Sequence, residues 1–262
     1  MLVDSHCHLD FPDFADDLTS VVDRAEAAGV GVMLSIGTRL SRFGQVRAVA
    51  ERFPQVFCSV GVHPHEAATE GAVTADELVT LAAHPKVVAF GETGLDYYYD
   101  KSPRDRQQAS FRAHIEAGRR AGLPVIVHTR DADDDTIAIL ADEMKKGRFT
   151  GLIHCFSSGA ELARQALDLG FFISISGIVT FNKAESLRDT VATIPVDRLL
   201  VETDCPYLSP VPFRGKRNEP AHVVHTATKV AELKGIPVGA LADATTANFH
   251  RLFTKVGTAC GQ

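Results

Sequence analysis

A chain of 262 residues with 45% hydrophobic side chains can build one large core or two small ones, which excludes a disordered or fibrous protein. The formal net charge of −6 gives the surface as a whole no attraction for polyanions, so any nucleic-acid contact must come from local positive charge. Five cysteines without a CxxC pair do not make a disulfide framework, and no uncharged apolar stretch approaches the roughly 20 residues of a bilayer span.

The start, MLVDSHCH, lacks a basic segment followed by an apolar core, and candidate chemistry begins at His6. The expectation is a cytoplasmic, unprocessed protein with no membrane partner.

Short β-branched runs alternate with amphipathic segments from one end to the other. The first strand, Leu2–Ser5, leads into His6 and His8 and then a helix over Ala15–Ala28 that stops at Gly29. Gly31–Ile36 and Val56–Val60 follow, the latter opening into GVHPH with His63 and His65. Val87–Phe90 precedes Glu92 and the run Tyr97, Tyr98, Tyr99; a helix over Arg104–Ala121 then ends at Gly122. Pro124–Val127 leads to His128 and Arg130, with a helix over Asp134–Lys146 behind it. Thr150–Ile153 ends at His154, and the helix Ala160–Leu169 stops at Gly170.

Phe172–Ser176 is the seventh strand and Arg198–Glu202 the eighth, the latter followed directly by Asp204. Val238–Phe253 is predicted as an additional helix and Thr254–Gln262 as a frayed tail. Eight strand–helix units suit an α/β protein built as a (β/α)8 TIM-type barrel better than an open sheet. No linker, charge block or low-complexity tract divides it, so residues 1–262 are read as a single domain.

In such a barrel the carboxyl ends of the strands share one face, where active sites of this fold lie. That places His6, His8, Glu92, His128, His154 and Asp204 around one point. Residues two apart on a strand point the same way, so His6 and His8 both face the axis and Cys7 faces the helical layer. Six ligand-type residues exceed the three plus water of a single catalytic zinc and predict two divalent ions with Glu92 as the bridge. The imidazole-rich set favours Zn, Mn, Co or Fe, with Mg suited where carboxylates and water dominate.

Glu202, two before Asp204, is a candidate for orienting a histidine or a water. His63 is the better candidate of the GVHPH pair for a phosphate or leaving-group contact, with His65 beside it. Cys7, Cys155 and Cys205 are read as small buried hydrophobes. His84, His114, His222, His225 and His250 fall in helices or their loops and are read as structural or solvated. In SPVPFRGKRNEPAH, Arg214, Lys216 and Arg217 crowd ahead of a helix start at Asn218 and Pro220, an arrangement suited to an anion. Arg130 adds a second candidate phosphate contact, and the three tyrosines are candidates for base stacking.

The segments VDSHCHLDF, GVHPH, GETGLDYYYD, PVIVHTRDA, HCFS, GFFISISGIVTFNKA and LLVETDCPYLSPVPFRGKRNEPAH, in this order, resemble the TatD-type metal-dependent deoxyribonucleases within the wider amidohydrolase-like barrels. HCFSSG departs from that family's shorter Ser-Gly turn. The resemblance implies that His6, His8, Glu92, His128, His154 and Asp204 are the metal positions. It also implies metal-dependent phosphodiester hydrolysis of DNA, often from an end, which is the work of an exonuclease.

The catalytic set expected from this is Asp204, Glu92 and His63, with a metal-activated water attacking phosphorus in line and Asp204 taking its proton. The expected partner is single-stranded DNA or a DNA end, without an organic cofactor, and the protein is expected to be a monomer. The main alternative is a small-molecule hydrolase of the same barrel acting on a lactone, amide or phosphotriester. A metal-carrying interaction protein without turnover is a third reading, disfavoured by the expected open water position and anion loop.

Overall fold

A computed structural model describes residues 1–259. Eight parallel strands pair in sequence order: β1 (Leu2–Cys7), β2 (Val30–Ser35), β3 (Val56–Val60), β4 (Val87–Asp96), β5 (Val125–Arg130), β6 (Gly151–Ile153), β7 (Phe172–Ile175) and β8 (Leu199–Val201). Each strand is followed by a helix of the outer layer: α1 (Leu18–Ala27), α2 (Phe43–Arg52), α3 (Ala75–Ala82), α4 (Arg104–Ala121), α5 (Asp133–Lys146), α6 (Ala160–Asp168), α7 (Glu185–Thr193) and α8 (Val223–Lys234). This is the expected TIM-type barrel.

The seam between β1 and β8 is closed mainly by side chains. Asp4 accepts from the backbone N–H of Thr203 at 2.9 Å and from its hydroxyl at 2.6 Å, and Ser5 donates to the Val201 carbonyl at 3.0 Å. Above them Asp204 N–H donates to the His6 carbonyl and His8 N–H to the Cys205 carbonyl, both at 2.9 Å.

Val3, Leu34, Phe57, Val88, Ile126, Leu152, Phe172 and Leu200 fill the barrel. Two further helices, α9 (Val238–Leu252) and α10 (Thr254–Ala259), lay Phe249, Leu252, Phe253 and Val256 against them. Residues expected to fray therefore include an ordered helix whose Val256 is buried; Cys260–Gln262 lie outside the described residues. Helix α1 begins at Leu18 rather than Ala15, because Pro12–Phe14 form a separate 3-10 turn.

Two irregularities aim the site. Asp4 pairs with Met33 and Cys7 with Ser35, so three steps on β1 face two on β2, a bulge that re-phases the strand. Val3 faces the barrel interior, and strict alternation would send His6 outward; with the bulge both Ser5 and His6 face in, while Leu2 and Cys7 pack in the outer core.

Strand β4 runs to Asp96, well past the expected Phe90, with a register shift between Phe90 and Thr93. Glycine makes that extension possible. A Cβ on Gly94 would collide with the His128 carbonyl, and one on Gly61 would sit 2.5 Å from Gly91.

Candidate metal centre

Side chains from six strand ends converge at the open end of the barrel. Glu92 stands in the middle: its Oε1 lies 2.8 Å from His154 Nε2, 2.9 Å from His128 Nδ1 and 3.4 Å from His63 Nε2. Its Oε2 lies 3.5 Å from His6 Nε2. Asp204 Oδ1 is 3.6 Å from His6 Nε2 and 3.4 Å from His8 Nε2. The structure thus brings His6, His8, Glu92, His128, His154 and Asp204 together, and adds His63. Asp204 reaches the axis from a left-handed backbone, φ 56°, a conformation that aspartate tolerates better than most residues.

The donor set fits a metal on two grounds. Nε2 of His6, which faces both Glu92 and Asp204, is buried without a hydrogen-bond partner, which is costly unless something else satisfies it. The separations of 3.4 to 3.6 Å are too long for good hydrogen bonds. They match the spacing of about 3.3–3.4 Å between ligands held roughly 2.0–2.1 Å from a tetrahedral ion. His6, His8 and Glu92 form one compact cluster, His63, Glu92 and His128 a second, and His6, His154 and Glu202 a third.

Neighbours fix which nitrogen each ring presents. His128 lies between two carboxylates, with Nε2 3.2 Å from Asp96 Oδ2 and Nδ1 2.9 Å from Glu92 Oε1; with an N–H on Nε2 donating to Asp96, Nδ1 would be free to ligate an ion. Glu202 stands behind His154, 3.4 Å from its Nδ1, and accepts from Cys155 N–H at 2.8 Å. His63 differs. Its Nδ1 accepts from His65 N–H at 3.1 Å, so the neutral ring carries its proton on Nε2, facing the centre as a donor. That geometry suits a contact to an anionic oxygen better than metal ligation.

Burial would raise the Glu92 carboxyl, but His154, His63 and His128 hold it well below the usual carboxylate range. Asp204 is likewise held low against burial by His8 and His6. Burial pushes His63 down to about 4, which keeps it neutral near pH 7. His154 is raised despite burial, by Glu92 and Glu202.

Asp96 carries no mark in the sequence reading. It is buried, and its Oδ2 accepts from His65 Nε2 at 2.8 Å as well as facing His128, while Oδ1 accepts from Tyr99 N–H at 2.8 Å. The signal was present: 92, 94 and 96 share one face once β4 is allowed its full length.

The centre opens into a cavity of about 820 Å³ whose walls include Asp10, Phe11, Arg39, Arg42, Tyr99, Lys101, Arg130, Cys155, Ser157 and Tyr207. Two expectations are corrected here. Arg214, Lys216 and Arg217 do not line it. Arg217 is paired with Asp17 at 2.7 Å, Arg214 lies over the Phe181 ring at 3.6 Å and donates to the Ser209 carbonyl, and Lys216 faces Phe213. The Asn218 side chain is spent on the Thr203 and Tyr207 carbonyls, bracing this loop.

Cys155, read as a buried hydrophobe, is half-buried on the cavity wall with φ 43° and its thiol 3.3 Å from Ser176 Oγ. Cys7 and Cys205 are buried as expected. Positive charge on the cavity wall comes instead from Arg39, Arg42, Lys101 and Arg130. Arg39 is paired with Glu66, whereas among the described residues Arg42, Lys101 and Arg130 make no ion pair.

A family model described as TatD related DNase matches residues 3–254. An uncharacterized metal-dependent hydrolase of Escherichia coli K12, YcfH, is 50% identical over 255 residues, covering 96% of this chain and 95% of that one. A Klebsiella pneumoniae protein named 3'-5' ssDNA/RNA exonuclease TatD is 36% identical over 258 residues, covering 96% and 97%. The crystal structure of YjjV, a TatD homologue from Escherichia coli K12, superposes with a TM-score of 0.90 at 32% identity, covering 97% and 98%.

Proposed function

Because the chain belongs to the family of TatD-related DNases and is a metal-dependent hydrolase, we propose that its substrate is DNA, cleaved at phosphodiester bonds from a single-stranded end. The observation that carries this reading is the set of unpaired cations, Arg42, Lys101 and Arg130, on the wall of the cavity that holds the carboxylate and imidazole centre. A lactone or an amide brings no charge for three such cations to meet, whereas a phosphate backbone does. The Klebsiella relative's name, an exonuclease on single-stranded DNA and RNA, supports the same substrate class.

In this reading His6, His8, Glu92, His128, His154 and Asp204 would hold two divalent ions, Zn, Mn or Mg, with Glu92 placed centrally among the donors. When bound, such ions polarise a phosphate oxygen and lower the pKa of water. Asp204, anionic because His8 and His6 hold it so, accepts the proton of the attacking water. His63 presents Nε2–H to a phosphate or leaving-group oxygen, and its low basicity keeps it a neutral donor. Glu202 and Asp96 keep His154 and His128 turned toward the centre.

The test is hydrolysis of end-labelled single-stranded DNA with Mg, Mn or Zn, beside lactones, amides and phosphotriesters. Stepwise shortening of the labelled strand from one end is expected. A lactone or phosphotriester turned over with a far higher kcat/KM than DNA would overturn the reading.

A further inference from the structure

Six large apolar side chains among the described residues are markedly exposed, and Tyr98 (58%), Tyr99 (51%) and Tyr207 (55%) are three of them. Half of the strongly exposed apolar side chains are thus tyrosines, and Tyr99 and Tyr207 line the metal cavity.

Tyr98 and Tyr99 form a built surface. Their rings meet edge to face at 4.9 Å and 88°, and the Arg130 guanidinium lies 4.2 Å from the Tyr98 centroid and 4.8 Å from that of Tyr99. The segment is held from below. Tyr97 N–H donates to the Arg130 carbonyl at 2.9 Å, Tyr99 N–H donates to Asp96, and the Tyr99 ring packs edge-on against His65 at 5.4 Å.

The three consecutive tyrosines are used differently. Tyr97 is engaged within the fold, its hydroxyl donating to Asp135 and accepting from Gln108. The hydroxyls of Tyr98 and Tyr99 have no partner among the described residues.

We propose that Tyr98, Tyr99 and Arg130 form a stacking platform for an unpaired nucleobase at the mouth of the metal cavity. The terminal nucleotide is then gripped by its base as well as by its phosphate. The proposal rests on the nuclease reading above and adds what that reading lacks, a reason why the end must be single-stranded. In a duplex even the terminal base, whose outer face is free, is held by its pairing partner in the plane of the pair and cannot turn into the cavity mouth to lie on a tyrosine ring. An unpaired base can, whatever its identity, because every base has a π-face. The Arg130 guanidinium, packed over the tyrosine rings with Lys101 Nζ 5.4 Å from the Tyr99 centroid, braces the pair through cation–π contacts and brings positive charge to the phosphate that travels with the base.

The experiment uses the metal-loaded full-length enzyme and two series of short single strands. One ends in a normal nucleotide and the other in a tetrahydrofuran abasic residue; a terminal 2-aminopurine reports stacking through its fluorescence. The parent is expected to quench 2-aminopurine on binding and to show a KM about tenfold or more lower for the normal end than for the abasic one. Tyr98→Ala combined with Tyr99→Ala is expected to abolish the quench and the discrimination, while Tyr98→Phe with Tyr99→Phe restores both. Comparing the two ends within each variant removes any general damage to the site.

Cleavage of normal and abasic ends with equal KM would overturn the platform and leave the nuclease reading standing. Binding with quenching but no cleavage would overturn the nuclease reading and keep the platform. Neither binding nor cleavage would overturn both.

Discussion

Asp204 and Asp96 are two carboxylates in one site with different surroundings, and the difference sets their roles. Asp96 is enclosed by His65, His128 and the Tyr99 N–H and faces no open space; it can position but not receive a proton from solvent. Asp204 faces the cavity, with its Oδ1 close to His6 and His8. Those histidines hold it anionic against burial, the state a general base requires. Asp204→Asn keeps the shape but removes the basic oxygen and weakens a metal contact. Turnover should fall on the order of 100-fold or more while the protein remains folded. The measurement is kcat at saturating metal, with metal content and the thermal transition checked in parallel. Near-normal turnover with metal content intact would move proton acceptance away from Asp204.

At the scale of elements, helix α4 braces the site through buried Gln107, which bonds the Asp96 backbone, and through one buried ring. His114 Nε2 accepts from Val62 N–H at 3.1 Å, so its proton is on Nδ1, which donates to the Ser110 carbonyl at 2.7 Å. This bond fixes the turn just before His63. Burial pushes His114 down to about 4 from an ordinary 6.5, so the folded state refuses a proton that the unfolded chain takes. Its contribution to stability is therefore complete above about pH 6.5 and is lost as pH falls toward 4, by about 3 kcal/mol in all. Urea midpoints of the parent and of His114→Gln, measured from pH 7 to 4, should diverge less as pH falls. Parallel pH dependences would show that the ring is not neutral for the reason given.

The same scale explains what could be read in advance. Strand ends followed by His or Asp are visible because a parallel barrel sends all its carboxyl ends to one face, whatever the loops do. The bulge that turns His6 inward is invisible in β1 alone, since it exists only in the register with β2. Asp96 is not marked by its sequence because the two glycines of GETGLD weaken the strand pattern, and only the close approach to the His128 backbone shows why glycine is required. The Arg214–Arg217 loop departs from its expected role for a related reason. Charge density along the chain is local, but the carboxylate that pairs with Arg217 is Asp17, some 200 positions away.

For the whole molecule the question is how a protein of net charge −6 holds a polyanion. The long-range field opposes the approach, and the groove beside the metal cavity, about 620 Å³, is lined by Asp131, Asp133, Asp134 and Asp135. A phosphate backbone is disfavoured there, which leaves the wall carrying Arg42 and Lys101 as its path, with Arg130 on the border that the two share. Only a few phosphates are then neutralised, and counterion release is correspondingly small. Binding of single strands should show a shallow dependence on salt, roughly 0.7 in log–log slope per phosphate contacted, far from the steep slopes of proteins that track long stretches of backbone. Arg42→Ala and Lys101→Ala should each flatten the slope by about one contact and weaken all sequences alike, because a phosphate contact carries no base information. Arg217→Ala, whose guanidinium is paired with Asp17, should leave the slope unchanged. The check is the affinity of short single strands across a salt series. A steep slope in the parent, or one that responds to Arg217 and not to Arg42 or Lys101, would mean that the strand runs over the β8–α8 loop instead.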